Sequence, residues 1–183
     1  MPSLGITLPT ALGDLKIYVN KSQQARATNL LKSMPDILTS SYVESANKFG
    51  ERLARMARTC LSRGIPPTGS GVSWPPHSEA TIKRYGQHTL LYWSSQYYHA
   101  IDVRRRGRNI YVGVPSSTIK TRPDGRKLGI SLSNVAKLLE YGDDTGKLPP
   151  RPLWAPLFQS VGGKDKFKQE IVKVIRHKIR SYL

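Results

Sequence analysis

The feature that most constrains this chain is a helical stripe in "PDILTSSYVESANKFGERLARMARTCLSRG", Pro35 to Gly64. Apolar or small residues at Leu38, Tyr42, Ala46, Phe49, Leu53, Met56 and Cys60 recur at spacings of four, four, three, four, three and four. That rhythm buries one face of an α-helix. Pro35 suits the first helical turn and Gly64 the C-terminal stop, so both ends are marked. Gly50 lies inside the stripe, weakening the helix by about 1 kcal/mol relative to Ala and permitting a bend. Upstream, "KSQQARATNLLKSM" from Lys21 to Met34 predicts a separate helix, stopped by the proline that follows. Residues 1–20 alternate apolar and polar, with Leu15, Ile17 and Val19 on one side, which fits a short strand or a docking arm.

The stripe needs a partner layer, and the rest of the chain offers strands and short helices. "IPPTGSGVSWPPHS" is too rich in Pro, Gly and Ser for regular structure, and Trp74 within it is expected to be pinned against something. A short helix is expected from about Ser78, then a turn around Gly86, while "LLYWSSQYY" reads equally as helix or loop. "AIDVRRRGRNIYVGVP" holds two period-two runs around Gly107, Arg108 and Asn109, predicting a β-hairpin. Ile101 and Val103 would share a face of one strand, and Ile110, Val112 and Val114 a face of the other. Residues 115–130 read as a long loop centred on a Pro-Asp-Gly turn. A short helix from about Ser131 to Tyr141 follows, and the chain closes with an amphipathic helix carrying Phe167, Ile171, Val174, Ile175, Ile179 and Tyr182 on one face and basic residues on the other.

With 183 residues there is room for one ordinary domain with arms. The fold class expected is α+β: a small antiparallel sheet with a β-hairpin packed against two or three helices, long loops and an extended Pro-rich arm. Its segments would be 1–20 as an N-terminal arm or strand, 21–162 as the α+β domain and 163–183 as the basic C-terminal helix.

Charge narrows the partners. Lys and Arg total 29 against 12 acidic residues, so the net charge is +17 and an acidic partner is implied: nucleic acid, an anionic surface or an acidic protein face. Arg104, Arg105, Arg106 and Arg108 surround the hairpin tip, and Lys120, Arg122, Arg126 and Lys127 follow in the next loop, with only Asp124 opposing. Arginines in such a loop pair can hold phosphates bidentately, or face an acidic protein, or remain a solvated basic surface. Base readout is not indicated, because Tyr111 is the only aromatic close to the tip. No run approaches the roughly 20 apolar residues that span a bilayer, and "MPSLGITLPTALGDL" lacks the basic start of a signal peptide. Cys60 is the only cysteine, which excludes an internal disulfide.

Catalytic and cofactor patterns are missing. His77, His88, His99 and His177 lack metal-ligand spacing, "TGSG" at Thr68 to Gly71 has no helix directly after it, and no serine sits in a nucleophile elbow. The only adjacent acids, Asp143 and Asp144, fall in a turn rather than on rigid elements. A non-enzyme without a cofactor is expected.

What remains is "VAKLLEYGDDTGKLPPRPLWAP", a helix, an acidic turn and a proline-stiffened segment ending in tryptophan. Each proline fixes φ near −65°, so "LPPRP" stays extended and loses little entropy on docking. Trp154 is a candidate apolar anchor, and Arg151 a candidate partner for a carboxylate across a boundary; closure of the chain's own core is the other use open to them. The order of long N-terminal helices, a "WPP" loop, a hairpin ending in "IYVGVP", then "AKLLEYG" and "LPPRPLWAP" resembles the tail-completion or neck proteins of tailed bacteriophages, the head-tail joining family that includes virion-morphogenesis proteins. In that family a short helix ending in Glu, an aromatic and Gly precedes an arginine between prolines; here these are Glu140, Tyr141, Gly142, Pro150, Arg151, Pro152, Leu153 and Trp154. The chain departs from the pattern at Asp143 and Asp144, where a Thr commonly follows the Gly, and at Leu153, where Phe is usual.

The resemblance implies a structural virion protein, made in the host cytoplasm and built into the neck as a homo-oligomeric ring of six copies, or alternatively twelve. That ring would join the DNA-filled head and its portal connector to tail terminator or tail tube proteins, in non-specific contact with genomic DNA and without a membrane. Glu140, Tyr141, Pro150, Arg151, Pro152, Leu153 and Trp154 would then form a subunit or ring interface, and the basic hairpin and loop would face the lumen, its DNA or an acidic neighbour. The alternative is a sequence-independent nucleic-acid-binding protein that uses the basic hairpin.

Overall fold

A computed structural model describes residues 4–10, 13–85, 95–107, 109–121 and 127–181. Among these residues the chain mixes α-helices with antiparallel strands. It forms two compact units, residues 1–42 with 170–183, and residues 43–169. The division falls inside the first and last helices.

In the first unit, β1 (Leu4–Thr10) and β2 (Gly13–Val19) pair antiparallel, with Ile6 opposite Ile17, so the N-terminal segment is a hairpin rather than a single strand. Asn20 then caps α1 (Lys21–Arg63), its Oδ1 accepting from the Gln23 N–H at 2.7 Å. The expected stop at Pro35 does not occur, and α1 is continuous across both predicted helices. An interior proline removes one hydrogen bond and costs about 3 kcal/mol. Here the bond removed is that to the carbonyl of Leu31, and Leu31 and Pro35 are both exposed, so water can serve that group. The buried stripe accordingly starts after the proline with Ile37 and not with Leu38, which is 45% exposed. Near the other end of this unit the Lys178 ammonium donates to Ser40 Oγ at 3.0 Å.

The second unit holds the main core. Phe49, Leu53, Ala57, Cys60 and Leu61 of α1 form its floor, joined by Trp74, Tyr97, Ile101, Leu153, Leu157 and Val161. The loop after α1 leads to α2 (Glu79–Tyr85), and α3 (Gln96–Ala100) gives the "QYY" part of the ambiguous segment as helix. The turn expected at Gly86 and the "LLYWS" part before Ser95 lie outside the described residues.

The predicted hairpin is present as β3 (Asp102–Arg106) and β4 (Asn109–Gly113), with Val103 opposite Val112, Arg104 opposite Tyr111 and Arg105 opposite Ile110. Its apolar face lies on Gly50. A Cβ at that position would stand 3.1 Å from Val103 Cγ1 and 3.2 Å from both Ile110 Cγ2 and Val112 Cγ2. Gly50 is therefore less a weak point of the helix than the place where a sheet face meets helix backbone. The Arg58 guanidinium adds a second tie, donating to the Ile101 carbonyl at 2.6 Å.

Residues 115–130 hold a second hairpin of this unit where a loop was expected: β5 (Ile119–Thr121) pairs antiparallel with β6 (Lys127–Ser131). The Pro-Asp-Gly turn itself lies outside the described residues. These strands carry too few alternating apolar residues to announce themselves, and their pairing supplies what side-chain pattern does not. Among the described residues the expected single sheet is thus three separate two-stranded ones. The chain continues through α4 (Leu132–Tyr141), capped by Ser131 Oγ accepting from the Asn134 N–H. It then passes to α5 (Trp154–Ser160) and α6 (Gly163–Arg180). Phe49 of α1 meets Phe158 of α5 edge-on at 5.9 Å and Phe167 of α6 at 5.2 Å, tying three helices of this unit together.

Candidate functional site

The segment from Glu140 to Trp154 folds back on its own domain. Helix α4 ends at Gly142, whose φ of 80° favours glycine and whose Cβ, if present, would lie 2.8 Å from the Leu148 carbonyl. The turn beyond it is held by Asp143, which accepts from Thr145 Oγ1 at 2.6 Å and from the Leu148 N–H at 2.8 Å. These hydrogen bonds hold the Asp143 carboxyl below its ordinary pKa. The pair Asp143 and Asp144 thus divides its work: one acid builds the turn, and Asp144 stays exposed.

From this turn "LPPRP" runs extended to Leu153, but the segment does not end as an arm. Trp154 begins α5, and Pro156 falls in its first turn, where no N–H is required. Glu140 supplies what the helix start lacks: its carboxylate accepts from the Leu153 N–H at 2.7 Å and the Trp154 N–H at 3.2 Å. A carboxylate is well suited to free N–H groups at a helix N-terminus.

Among the described residues Arg151 pairs with no carboxylate. It is 5% exposed, and its Nε and Nη2 donate to the Pro75 and Pro76 carbonyls, each at 3.0 Å. Burial draws its pKa below the ordinary arginine value. Two consecutive prolines place two carbonyls side by side without competing N–H groups, which suits a planar fork of donors. Trp74 of the same loop closes the clamp from the other side, its Nε1 donating to the Pro152 carbonyl at 2.9 Å. Trp154 is half-buried, with Nε1 donating to Tyr97 Oη at 3.2 Å. Burial pushes the Tyr97 pKa up to about 12, opposed by the hydrogen bond from Trp154.

Seven residues were expected at an interface, and the structure sorts them. Glu140, Arg151 and Leu153 are engaged inside the chain, Leu153 being 1% exposed. Pro152 contributes its carbonyl to Trp74, Trp154 packs on the core, and Pro150 and Tyr141 are exposed, Tyr141 at 80%. Sequence reasoning missed the partners Trp74, Pro75, Pro76 and Tyr97, because each lies more than fifty residues away in the chain.

The basic candidates divide as well. The face of β3–β4 opposite Gly50 carries Arg104, Arg106 and Tyr111, all exposed. Arg104 donates to Asp102 at 2.8 Å, a surface ion pair of small energy that lowers the Asp102 pKa. Arg105 donates through Nε to the Gly107 carbonyl at 2.8 Å. Lys120 is half-buried on β5. Arg108, Arg122 and Arg126 lie outside the described residues, and Lys127 is described only as the start of β6.

Among the described residues no group of three His, Cys, Asp or Glu is placed to hold a metal, and no helix is long and apolar enough to cross a membrane. Burial pushes the Cys60 thiol pKa up, against the opposing effect of Arg63. No family model, curated protein or solved structure matches the chain.

Proposed function

We propose that this chain is a structural, non-catalytic protein of a tailed-bacteriophage neck, forming a homo-oligomeric ring of six or twelve copies between the portal connector and the tail. The observation that carries the reading is the use made of the residues behind the family resemblance. Glu140, Gly142, Arg151 and Leu153 stand up to thirteen positions apart and act as one lock, capping α5, admitting the return of the chain and clamping the Trp74–Pro76 loop. A motif that closes a fold in this way is expected to mark a fold family, which is what the resemblance requires of it.

Under this reading the rigid body comes from the lock and the partners are met by what it leaves outside. Tyr141 and the face of Arg104, Arg106 and Tyr111 are the side chains so placed. The lumen of such a ring would hold genomic DNA, and the rings above and below would be portal and tail proteins.

The test is genetic and structural. Particles assembled without the chain are expected to accumulate as DNA-filled heads and finished tails that do not join, and images of complete virions to show it as a ring between them. Virions that lack the chain and remain infectious would sink the reading.

A further inference from the structure

We infer that the arginine face of β3–β4 in one copy docks on the Tyr141–Asp144 turn of the next copy, making the head-to-tail contact of the ring. This inference rests on the ring reading above and deepens it.

Two exposed surfaces of the second unit are complementary. The first is the outer face of the hairpin, where Tyr111, 55% exposed, stands directly opposite Arg104 and diagonal to Arg106, which pairs with Asn109. Only Arg104 of these two arginines has a carboxylate partner among the described residues. The second surface is the C-terminal end of α4. Leu138 and Tyr141, three residues apart on one helix face, are 44% and 80% exposed, and among the described residues Tyr141 is the most exposed of the large hydrophobic side chains. Asp144 follows in the turn, exposed and without an ion pair among the described residues.

The second surface is built before any partner arrives. Gly142 admits no side chain, Asp143 spends its carboxylate on Thr145 and Leu148, and the Arg151 N–H donates to the Leu139 carbonyl at 2.6 Å. An aromatic ring and a carboxylate are thus displayed on a rigid turn, which reduces the ordering cost of docking. Arginine suits this display, because its guanidinium stacks on an aromatic ring and pairs with a carboxylate through the same plane.

The ring reading supplies a second copy as the occupant, and charge decides where two copies can meet. In a chain of net charge +17, two copies meet favourably only where an acidic surface faces a basic one. Asp144 beside Tyr141 opposite Arg106 beside Tyr111 is such a match. The two surfaces are different, so the contact is heterologous, and a heterologous contact makes a ring when its rotation closes and an open filament when it does not.

The experiment is a charge swap read by sedimentation of the full chain, with far-UV circular dichroism as the folding control. Arg106→Glu and Asp144→Arg singly are each expected to weaken self-association about tenfold or more, equivalent to about 1.4 kcal/mol. The double variant Arg106→Glu with Asp144→Arg is expected to recover most of the loss, since the pair is then restored with its signs exchanged. Tyr141→Ser, which leaves the charges in place, is expected to weaken association as well.

Wild-type chain that stays monomeric at its highest soluble concentration overturns the contact, as do singles that assemble normally or a double variant no better than the worse single. Duplex DNA binding lost in Arg106→Glu, together with unchanged self-association in Asp144→Arg, would assign the hairpin to nucleic acid and overturn it too. Failure of the swap leaves the joining of heads to tails intact, so it is distinguishable from failure of the neck reading.

Discussion

Replacing Gly50 with alanine sets two effects of known size against each other. Alanine in a helix interior is favoured over glycine by about 1 kcal/mol, so on α1 alone the change would stabilise. The new methyl, however, would meet Val103 Cγ1 at 3.1 Å and Ile110 Cγ2 and Val112 Cγ2 at 3.2 Å. Contacts that close oblige the neighbours to move by a few tenths of an ångström. All three are β-branched side chains with stiff χ1 angles, on two strands paired to each other, so the hairpin has to shift as a body. Overpacking of this kind costs about 1–3 kcal/mol. The packing term wins, and Gly50→Ala is expected to lower stability by about 1 kcal/mol net. Urea unfolding followed by circular dichroism reads the change as a lower midpoint at unchanged slope. A second background separates the terms: with Val103→Ala already present the closest methyl is gone, and Gly50→Ala is expected to cost less there by at least about 0.5 kcal/mol. A Gly50→Ala chain more stable than wild type by the full helix increment would refute the reasoning, because it would mean the hairpin does not rest on this position.

Three other perturbations test the lock and the core. Glu140→Gln keeps the shape but turns an amide donor toward the Leu153 and Trp154 N–H groups, and a loss of about 1–3 kcal/mol is expected in thermal or urea unfolding; a neutral result would show that α5 does not depend on this cap. Tyr97 keeps its proton to about pH 12 when folded and to about pH 10 when unfolded. Its contribution is therefore complete below pH 10 and lost as pH rises toward 12, and Tyr97→Phe is expected to flatten the fall in melting temperature over that window. Ser45 is 2% exposed, and its Oγ has no hydrogen-bond partner among the described residues. Ser45→Ala removes an uncompensated polar burial and is expected to stabilise the chain by about 1 kcal/mol, whereas a loss of stability would reveal a partner for the hydroxyl.

The sequence alone determined the elements whose signal is local and repetitive. Within the stripe Ala46, Phe49, Leu53 and Cys60 are buried and Met56 is half-buried, because a helical face is specified residue by residue. The hairpin of residues 102–113 follows from period-two alternation around a glycine, and α4 runs from Leu132 to Tyr141, close to the expected Ser131 to Tyr141. The pinned Trp74 was legible because a large aromatic in a Pro-rich loop is seldom left in water. Other decisions belonged to the tertiary structure. Pro35 stops a helix by local rules, yet α1 continues through it, and the carbonyl left without its partner, that of Leu31, lies on an exposed side where water can serve it. The β5–β6 hairpin depends on pairing rather than on pattern, so its mixed polar residues concealed it. Helix α5 could not be foreseen, since its N-terminal cap is Glu140, a residue of another helix. Gly50 and Arg151 show the same limit: a helix-weakening glycine and a boundary-seeking arginine, judged locally, become a seat for a hairpin and a clamp on two carbonyls more than seventy residues away. Backbone propensity is written in neighbouring residues, whereas close approach and hydrogen-bond partnership exist only once distant segments have met.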